Sequence, residues 1–582
     1  MANSLVCPCA SKIGGYWGII PIFPRSKRDE PRSTNQLSDT RIYATRSTGS
    51  FSQRQFVYED ASFAELFRGR GQKAESPGRL AWVTVMQFSE GLSDRQAAEA
   101  VRARIDWKYV LGLELDDPGF NYSVLSEFRE RLVVGQREQL LLDDLLTRLK
   151  ELKLLKGRGP QRTDSTHILG AVRQLNRIEI VGETLRQALN ELSEFAPEWV
   201  EAIAGPEWFA RYGRRFEQMR LPKEAAERQA LLVTIGEDGA FLLEAVQTAA
   251  QAKPLRELPG VEFLRRMWIQ QYWTEVKEDG SAHLQVRNDD NQPPGALRLH
   301  SPYDEDVRYS AKRERGWVGD KIHLSETSGK NEVHLSTQVS TTLATESDMH
   351  ALEKIQCTLE QKELLPTEHL VDAGYVDAET LVSSRRDFDV SLCSPVREKV
   401  SWQAKAGEGF DLASFQIDWE KQVAICPNGQ TSAEWRNRQQ GDRKPVIQVR
   451  FSLTICRACT VRSQSTKATT DGRAIAFLPR EQHEALQRVR QEQNSHAFWQ
   501  KYAQRCGIEG TISQAVRRYE LRFARYIGLA KTNLQMTATA AAINLHRLFD
   551  WWQHRPRALT RISAFAKLAP SPSLLTPAWS SV

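Results

Sequence analysis

The chain has 582 residues, of which 41% are hydrophobic and 26% charged, with 79 basic against 73 acidic residues and a net charge of +6. This length is too great for one hydrophobic core and predicts several domains. No run of about 18 apolar residues occurs, which argues against a transmembrane helix. The eight cysteines are too sparse for a disulfide framework, so we expect a soluble protein of the reducing cytoplasm.

Basic residues are concentrated toward the C-terminus. Residues 501–582 contain 12 Lys and Arg against 3 Asp and Glu, a net charge of +9 that exceeds the charge of the whole chain. A basic region of this kind favours a nucleic-acid partner, with binding that weakens as salt rises.

The N-terminal part divides into a tail and a helical region. Residues 1–55 show no helical or strand period and are predicted to be a disordered tail, in which Cys7 and Cys9 are interpreted as free thiols rather than a metal fragment. Residues 56–150 are predicted to form a helical domain. Its first helix opens at Ser76-Pro77 and closes at Gly91.

More helices follow in this domain. A capping box from Ser93 to Gln96 starts a second helix, a third lies around Val124 to Leu132, and a leucine-rich helix spans about 139–156. Short helices joined by tight turns resemble a helix-turn-helix unit, which would place one helix in a DNA major groove. A helical scaffold or dimerisation unit explains the same pattern equally well.

A strand is predicted from Gln161 to Leu169, and it contains Asp164. The stretch 175–299 then shows a helical pattern and is interpreted as a large insertion. Its aromatic side chains are predicted to be helical core rather than a surface that stacks on bases. These aromatic residues are Trp199, Trp208, Phe209, Trp268, Tyr272 and Trp273.

An α/β pattern follows the helical insertion. Its predicted elements are a strand at 316–324, a turn at 328–331, a return strand at 333–339, a helix at 347–362, a short strand at His369–Val371 and a further strand at 388–393. Asp372 follows directly after the short strand. Strand, hairpin, helix and strand, with carboxylates at the ends of the first and fourth strands, form the skeleton of an RNase-H-like mixed sheet. This skeleton requires one more helix with an acidic residue.

The chain reaches that helix after a second insertion. Residues 399–481 are rich in strand signals and predict a β insertion, while 482–552 are helical and 553–582 form a C-terminal tail. The predicted catalytic core therefore consists of 157–174, 300–398 and 482–552. Glu509 is the acidic residue that its last helix supplies.

Three carboxylates from separate elements are what two-metal phosphoryl transfer requires, since two divalent ions must contact the attacking and leaving oxygens. Asp164, Asp372 and Glu509 provide hard oxygen ligands that suit Mg²⁺. At 100° per residue, Tyr502, Arg505 and Glu509 share one helix face. The alternative for this face is an ordinary exposed Arg–Glu pair.

Together these segments resemble the DDE transposases of bacterial insertion sequences, in particular those with a Tyr-x2-Arg-x3-Glu-x6-Lys signature and a β insertion before the glutamate. Residues 60–135 also resemble the N-terminal domain of that family, so the resemblance covers nearly everything after the tail. The matching segments are Thr163–Thr166, Trp317–Leu324, Val371–Tyr375, Tyr502, Arg505, Glu509, Gly528–Lys531 and Thr537–Leu548.

The resemblance implies an endonuclease that cuts DNA at the ends of its own element and joins them to a target. It implies Asp164, Asp372 and Glu509 as catalytic residues and ligands of Mg²⁺, with Mn²⁺ as a substitute. It also implies double-stranded DNA as partner, both at terminal inverted repeats and at the target. We expect a homo-oligomer on DNA, associated with the nucleoid in the cytoplasm. The predicted DNA contacts are Tyr502, Arg505, Arg517, Lys531 and Lys321.

Two features depart from the family's pattern. The signature lysine position falls at Val516, which cannot contact phosphate, and Arg517 is the predicted substitute. Gly507 and Gly510 flank the glutamate and each costs about 1 kcal/mol of helix propensity, so packing must hold this helix. An RNase-H-like nuclease without strand transfer, or a decayed transposase that only binds DNA, are the alternatives.

Three cysteines in the β insertion suggest the remains of a metal site. Cys426, Cys456 and Cys459 lack an obvious fourth ligand, because the place of a fourth cysteine in similar transposases is taken by Ser465. Structural zinc is therefore the less favoured interpretation, with Cys393 as a remote candidate to complete the site. His167 lies on the opposite strand face from Asp164 and is interpreted as a structural residue.

Overall fold

The computed structural model describes residues 57–67, 75–173, 175–250, 252–277, 281–312, 315–396, 402–403, 409–439 and 444–555. The predicted N-terminal tail with Cys7 and Cys9, and the C-terminal tail after residue 555, lie outside these ranges. Within them the protein is a mixed α/β structure. None of the helices in the described ranges is both long enough and apolar enough to cross a membrane.

The described N-terminal part contains a 3-10 helix (Asp60–Leu66) and the α-helices α1 (Pro77–Glu90), α2 (Asp94–Ala103), α3 (Ile105–Leu111), α4 (Ser123–Val134) and α5 (Leu140–Glu151). Ser76 caps α1, which ends at Gly91 because that glycine adopts a left-handed φ of 72°. The capping box of Ser93 and Gln96 opens α2. These predicted boundaries are confirmed. The pattern missed α3, because Arg104 alone separates it from α2.

The first strand, β1 (Gln161–Leu169), has the predicted bounds. Among the described residues it is followed by the α-helices α6 (Arg177–Phe195), α7 (Pro197–Ile203), α8 (Pro206–Tyr212), α9 (Ala225–Thr248), α10 (Ala252–Arg256) and α11 (Pro259–Gln271), with a 3-10 helix at Phe216–Gln218. They form their own hydrophobic cluster, in which Trp208, Trp268 and Tyr272 are buried. Phe209 and Trp273 are 62% and 41% exposed, so the prediction that they belong to the core is wrong.

The insertion predicted as helical also contains a β-hairpin, which was not predicted. The strands β2 (Tyr272–Val276) and β3 (Ala282–Val286) pair antiparallel. Tyr272 ends α11 because its backbone is already extended, with φ −130° and ψ 162°. Aromatic and β-branched residues suit a strand, but no Gly or Pro marks this change in the sequence.

The remaining core elements are β4 (Arg308–Lys312), β5 (Arg315–Thr327), β6 (Ser336–Leu343), α12 (Asp348–Gln361), β7 (Glu368–Leu370), α13 (Ala378–Phe388) and β8 (Ser391–Cys393). The predicted return strand at 333–339 thus begins three residues late, at Ser336. The strand predicted at 388–393 is shorter, because α13 occupies the residues up to Phe388.

These strands form one six-stranded sheet with β1 near its centre. β5 pairs antiparallel with β1 along one edge, and β4 and β6 pair with successive halves of its other edge. On the opposite side of β1 lie β7 and then β8, both parallel to their neighbours. The order β6–β5–β1–β7–β8 places β1 and β7 side by side.

The β-rich insertion and the last helices complete the described chain. The insertion contains β9 (Gln416–Asp418), β10 (Val423–Ile425), β11 (Glu434–Arg438), β12 (Val446–Arg450), α14 (Leu453–Arg457), α15 (Arg462–Ser465) and β13 (Ala474–Phe477). It has its own hydrophobic cluster. The closing helices are α16 (Arg480–Glu492), α17 (His496–Tyr502), α18 (Cys506–Arg518) and α19 (Leu529–Trp552).

The last helix, α19, joins the N-terminal helices to the sheet. Its His546 ring contacts the hydroxyl of Ser89 on α1 at 3.3 Å, and Asn544 hydrogen-bonds both backbone groups of Ser336 on β6 at 2.7 and 2.9 Å. At its start, Asp304 and Asp306 accept hydrogen bonds from the backbone amides of Gly528 and Leu529, both at 2.9 Å. The N-terminal helices, the sheet, α18 and α19 therefore share one hydrophobic cluster.

Candidate active site

The register between β1 and β7 brings two of the predicted carboxylates together. Gln161 lies beside His369 and Arg162 beside Leu370. Continued for two more residues, this parallel register places Asp164 next to Asp372, because adjacent strands are about 4.8 Å apart. Asp164 is inside β1 rather than at its end as predicted. It lies beyond the last residue of the partner strand, where the neighbouring edge is open.

Asp372 starts the turn that follows β7. Its carboxylate accepts a hydrogen bond from the backbone amide of Ala373 at 2.8 Å and caps a short 3-10 helix over Ala373–Tyr375. A cap of this kind fixes the side chain relative to the strand end. Asp372 therefore has a defined orientation beside Asp164.

Arg505 links the third carboxylate to the first. Its Nη1 donates to Asp164 Oδ2 at 2.9 Å and its Nη2 donates to Glu509 Oε1 at 2.6 Å. The guanidinium also lies 5.7 Å from the centre of the Tyr502 ring. Asp164 and Glu509 are 345 positions apart in the chain, yet one side chain contacts both.

The helix that carries these residues is not uniform. A 3-10 turn over Ala503–Arg505 separates α17 from α18, so the predicted continuous α-helix from Tyr502 to Glu509 is wrong. The backbone stays in the right-handed helical region at Tyr502, Arg505 and Cys506. The tightened turn therefore keeps Tyr502, Arg505 and Glu509 on neighbouring faces.

The environment of the site differs between its members. The side chains of Asp164 and Arg505 are only 15% and 12% exposed, whereas that of Glu509 is 57% exposed. Burial raises the pKa of Asp164 above its usual range; the charge of Arg505 opposes this and Asp372 adds to it. Burial likewise raises the pKa of Tyr502 to about 12. Tyr502 thus keeps its hydroxyl proton at neutral pH and can donate it in a hydrogen bond.

The donor set suits a hard divalent cation, although its present arrangement is not a closed cluster. In the part of the chain that the structure describes, no three His, Cys, Asp or Glu side chains lie close enough together to hold a metal ion. A positive charge is nonetheless present between Asp164 and Glu509, namely the Arg505 guanidinium. Carboxylate oxygens are the ligands that Mg²⁺ and Mn²⁺ prefer, and Arg505 occupies the place of a cation between two of them.

A group of polar residues lies beside Asp164, and its Asp348 was not among the predicted site residues. The hydroxyl of Ser165 donates to Asp348 Oδ2 at 3.2 Å, and Lys321 Nζ donates to Asp348 Oδ1 at 3.0 Å. The Tyr375 hydroxyl and the His323 ring hydrogen-bond each other at 2.7 Å. Asp348 directly follows the capping residue of α12, which is an ordinary place for an acid, so only the contacts reveal it.

Two stretches of the chain match known family models. Residues 425–549 match a family described as "Transposase DDE domain", and residues 50–131 match "Transposase domain (DUF772)". Both families are transposases. These matches support an insertion-sequence transposase, a class of protein that acts on DNA. No curated protein and no solved structure gives a significant match.

Of the two transposase matches, only the one over residues 425–549 reaches the candidate site. The first includes β11 to β13, α18 with Glu509, and α19. Asp164 and Asp372 lie outside both matches. Their assignment therefore depends on the β1–β7 register and on Arg505, whereas the helix of Glu509 lies within a matched transposase domain.

The residues predicted to bind DNA are in unequal positions. Arg517 is exposed on α18, and Lys531 forms an ion pair with Glu130 of α4 at 2.8 Å. Lys321 is only 16% exposed and is held by Asp348 and by the backbone oxygen of Glu346. Val516 packs against the hydrophobic core, so the signature lysine position of the resembled transposases faces inward here.

The cysteines of the β-rich insertion meet, but without a closed metal cluster. Cys426, Cys456, Cys459 and Ser465 line one small cavity of about 40 Å³. Cys393 does not complete this group, because it packs against Leu370 and Phe498.

His167 packs its ring against Trp317 with ring centres 4.9 Å apart. Burial lowers the pKa of His167 to about 4. The ring is therefore neutral at physiological pH, in agreement with a structural residue.

Proposed function

We propose that the chain is a DDE transposase, which cleaves DNA at the ends of an insertion sequence and transfers the cut strand to a target. The observation that carries this proposal is that Arg505 bonds both Asp164 on β1 and Glu509 on α18, while the β1–β7 register leads to Asp372 beside Asp164. The strand order β6–β5–β1–β7–β8, with β1, β7 and β8 parallel, supports an RNase-H-like core. The transposase matches at both ends of the chain support the same function.

In this proposal Asp164, Asp372 and Glu509 are the ligands of two divalent ions, Mg²⁺ or Mn²⁺. The chemistry that such a pair supplies when bound is neutralisation of charge on the attacking and leaving oxygens of a phosphodiester. With ions held by Asp164 and Glu509, the Arg505 guanidinium would be available to a DNA phosphate, which an arginine can bind with two parallel hydrogen bonds. The Tyr502 hydroxyl keeps its proton and donates a hydrogen bond to the same DNA strand.

The basic C-terminal helices supply further phosphate contacts. Arg517 is the strongest of the predicted residues because it is exposed and next to the core-facing Val516. The ion pair with Glu130 makes Lys531 a weaker candidate, and the contacts of Lys321 with Asp348 favour a role in holding the site. Residues 175–299 and 399–481 are insertions into the catalytic core, since each has its own hydrophobic cluster. We expect the transposase to act as a homo-oligomer on nucleoid DNA in the cytoplasm.

A second candidate is a decayed transposase that binds DNA without cutting it. The position of Val516 favours it, because no lysine can reach phosphate from a core-facing site. Against it stands the presence of all three carboxylates at one edge of the sheet.

A cleavage and strand-transfer assay with the full chain tests the proposal. The substrate is linear DNA that carries the sequences flanking the gene, with a supercoiled plasmid as target, in Mg²⁺ or Mn²⁺. We expect cuts at the element ends and joined products. Cuts without joined products would instead identify a nuclease. Folded protein that binds the DNA and never cuts it would contradict the proposal and support the decayed transposase.

A further inference from the structure

Behind Glu509, α18 is attached to the sheet by a buried ionic cluster. It consists of Arg162, Glu326, Thr511 and Arg547, which we name the clamp. Glu326 is fully buried, at 0% exposure. Its Oε1 accepts from Arg162 Nε at 2.7 Å, and its Oε2 accepts from Arg547 Nη1 at 2.7 Å and from the Thr511 hydroxyl at 2.6 Å.

Four elements meet in the clamp. Arg162 and Glu326 are direct cross-strand neighbours on β1 and β5, Thr511 is on α18 and Arg547 on α19. Arg547 Nη2 also donates to the Thr511 hydroxyl at 2.6 Å. Because Thr511 both donates and accepts, its hydroxyl joins α18 to Glu326 on β5 and to Arg547 on α19, and Gln514 of the same helix also accepts from Arg547 at 3.1 and 3.3 Å.

The clamp holds the active-site helix on both sides of Glu509. Arg162 Nη1 donates to the backbone oxygen of Gln504 at 2.6 Å, directly before Arg505, and Thr511 lies two residues after Glu509. Arg162 is also two residues before Asp164 on β1, so both side chains project from the same face of the strand. Arg162 therefore belongs to the strand of the first carboxylate, Asp164, and contacts the helix of the third carboxylate, Glu509.

The two glycines of α18 show how close this contact is. A Cβ atom on Gly507 would overlap the guanidinium of Arg162, whereas a Cβ on Gly510 would meet nothing within 4 Å. Gly507 thus lets Arg162 lie against the helix backbone. Of the two glycines, only Gly507 is required by packing.

The charges of the clamp keep it assembled at neutral pH. Burial acts to raise the pKa of Glu326, but Arg547 and Arg162 outweigh it and hold the pKa below its usual range. The carboxylate is therefore ionised while both arginines are bound to it. A buried charge with several such partners has one well-defined geometry.

We infer that the clamp is a positioning device that sets the place of Glu509 relative to Asp164, with Thr511 as its contact on the helix. This inference rests on the proposed function, in which those two carboxylates bind the same pair of ions. Substitution of a residue that orients a metal ligand without binding the metal itself typically lowers metal affinity or activity about 10- to 100-fold. Thr511 is buried and its hydroxyl bonds to Glu326 and Arg547, so its effect on the ions is expected to act through Glu509.

The test compares three substitutions in the full chain. Thr511→Val removes the hydroxyl at nearly constant volume, and Thr511→Ser retains it. Thr539→Val is the matched control, because Thr539 is equally buried on α19 but bonds only to the backbone oxygen of Gln535. Mn²⁺ affinity is measured without DNA from the loss of the free-ion electron paramagnetic resonance signal. The Mn²⁺ concentration for half-maximal cleavage is measured separately.

We expect Thr511→Val to weaken Mn²⁺ binding about 10-fold, with Thr511→Ser and Thr539→Val within about twofold of the unsubstituted chain. Unchanged Mn²⁺ affinity in Thr511→Val would overturn the inference, as would an equal loss in Thr539→Val, which would indicate general loosening. If the unsubstituted chain binds Mn²⁺ but does not cut DNA, the proposed function fails. In that case the Mn²⁺ affinities of the variants still test the role of the clamp.

Discussion

Two ionic groups lie on opposite sides of α18 and differ in their charge balance. At the open edge of the sheet, Asp164 and Glu509 share the single guanidinium of Arg505, with Asp372 nearby, and Glu509 is largely exposed. In the clamp, one carboxylate is shared by two arginines and a threonine, and all of its oxygens are bonded away from solvent. The first group lacks enough positive charge to balance its carboxylates, whereas both oxygens of the carboxylate in the second are bonded to arginine. The difference separates a site that can accept a cation from one that holds the fold.

The largest expected effect concerns the edge that lacks positive charge. Asp164→Asn and Asp372→Asn should each lower the rate of DNA cleavage at least about a thousandfold, because each removes a charged ligand without changing side-chain volume. Single-turnover cleavage measures the effect. Asp387→Asn, at an exposed ion pair with Arg386, is the control. Cleavage that survives either active-site substitution would remove that residue from the site.

The next effect concerns the clamp. Glu326→Ala should lower the free energy of unfolding by about 3–5 kcal/mol, because it leaves two arginines buried and unpaired. Glu99→Ala, which breaks the exposed pair with Arg102, should cost at most about 1 kcal/mol. Chemical denaturation followed by circular dichroism compares them. Equal losses would show that the clamp is no more than a surface ion pair.

A third prediction uses a carboxylate of the sheet that belongs to neither group. Asp320 on β5 is 2% exposed, and burial, with Asp304 and Asp306 nearby, raises its pKa to about 7. The protonated carboxyl group stabilises the folded protein, and this contribution to the free energy of unfolding is complete below the unfolded-state pKa of about 3.9. It is lost as the pH rises to about 7. Above that pH the folded protein carries an unfavourable buried charge.

Asp320→Asn removes this titration. Relative to the unsubstituted chain, we expect the variant to gain about 1.4 kcal/mol of stability for each pH unit between about pH 5 and pH 7, and to level off above. Unfolding free energies of both proteins at several pH values measure the difference. A difference that does not change with pH would mean that Asp320 is ionised throughout.

The smallest effect distinguishes the two faces of α18 directly. Gly510→Ala should stabilise the protein by about 1 kcal/mol, because alanine is the better helix former and the added methyl group meets open space. Gly507→Ala should destabilise it instead, since the methyl group displaces Arg162. Thermal unfolding of the two variants is the measurement. A stabilising Gly507→Ala would contradict the close contact between the clamp and the helix.

The features that the sequence predicted well are those with local causes. The bounds of β1 and α1 follow from residues inside or next to each element, such as Ser76 and Gly91. The helix α3 was missed because only Arg104 separates it from the preceding helix. The strand β2 was missed because it follows the preceding helix without any intervening residue. Where a boundary is set by tertiary packing instead of a cap, the pattern contains no signal for it.

The site was predictable to a similar extent. Asp372 follows a short apolar strand and Glu509 lies in a recognisable spacing, so both could be chosen from the sequence. The clamp could not be chosen, because Glu326 lies 164 positions from Arg162 and 221 from Arg547. Arg162 was close to a predicted residue, but nothing local distinguishes it from a solvent-exposed arginine. Its role follows only from the pairing of β1 with β5.

The position of α19 has a consequence for how the chain folds during synthesis. The N-terminal helices are made first, but the helix α19, which packs against Ser89 and the apolar face of α1, is made more than 400 residues later. At about 5–20 residues per second, that delay lasts on the order of half a minute. The clamp closes only when Arg547 arrives. A partly synthesised chain that lacks Arg547 therefore holds Asp164 without the completed clamp, and we expect cutting activity to appear only after Arg547 has left the ribosome.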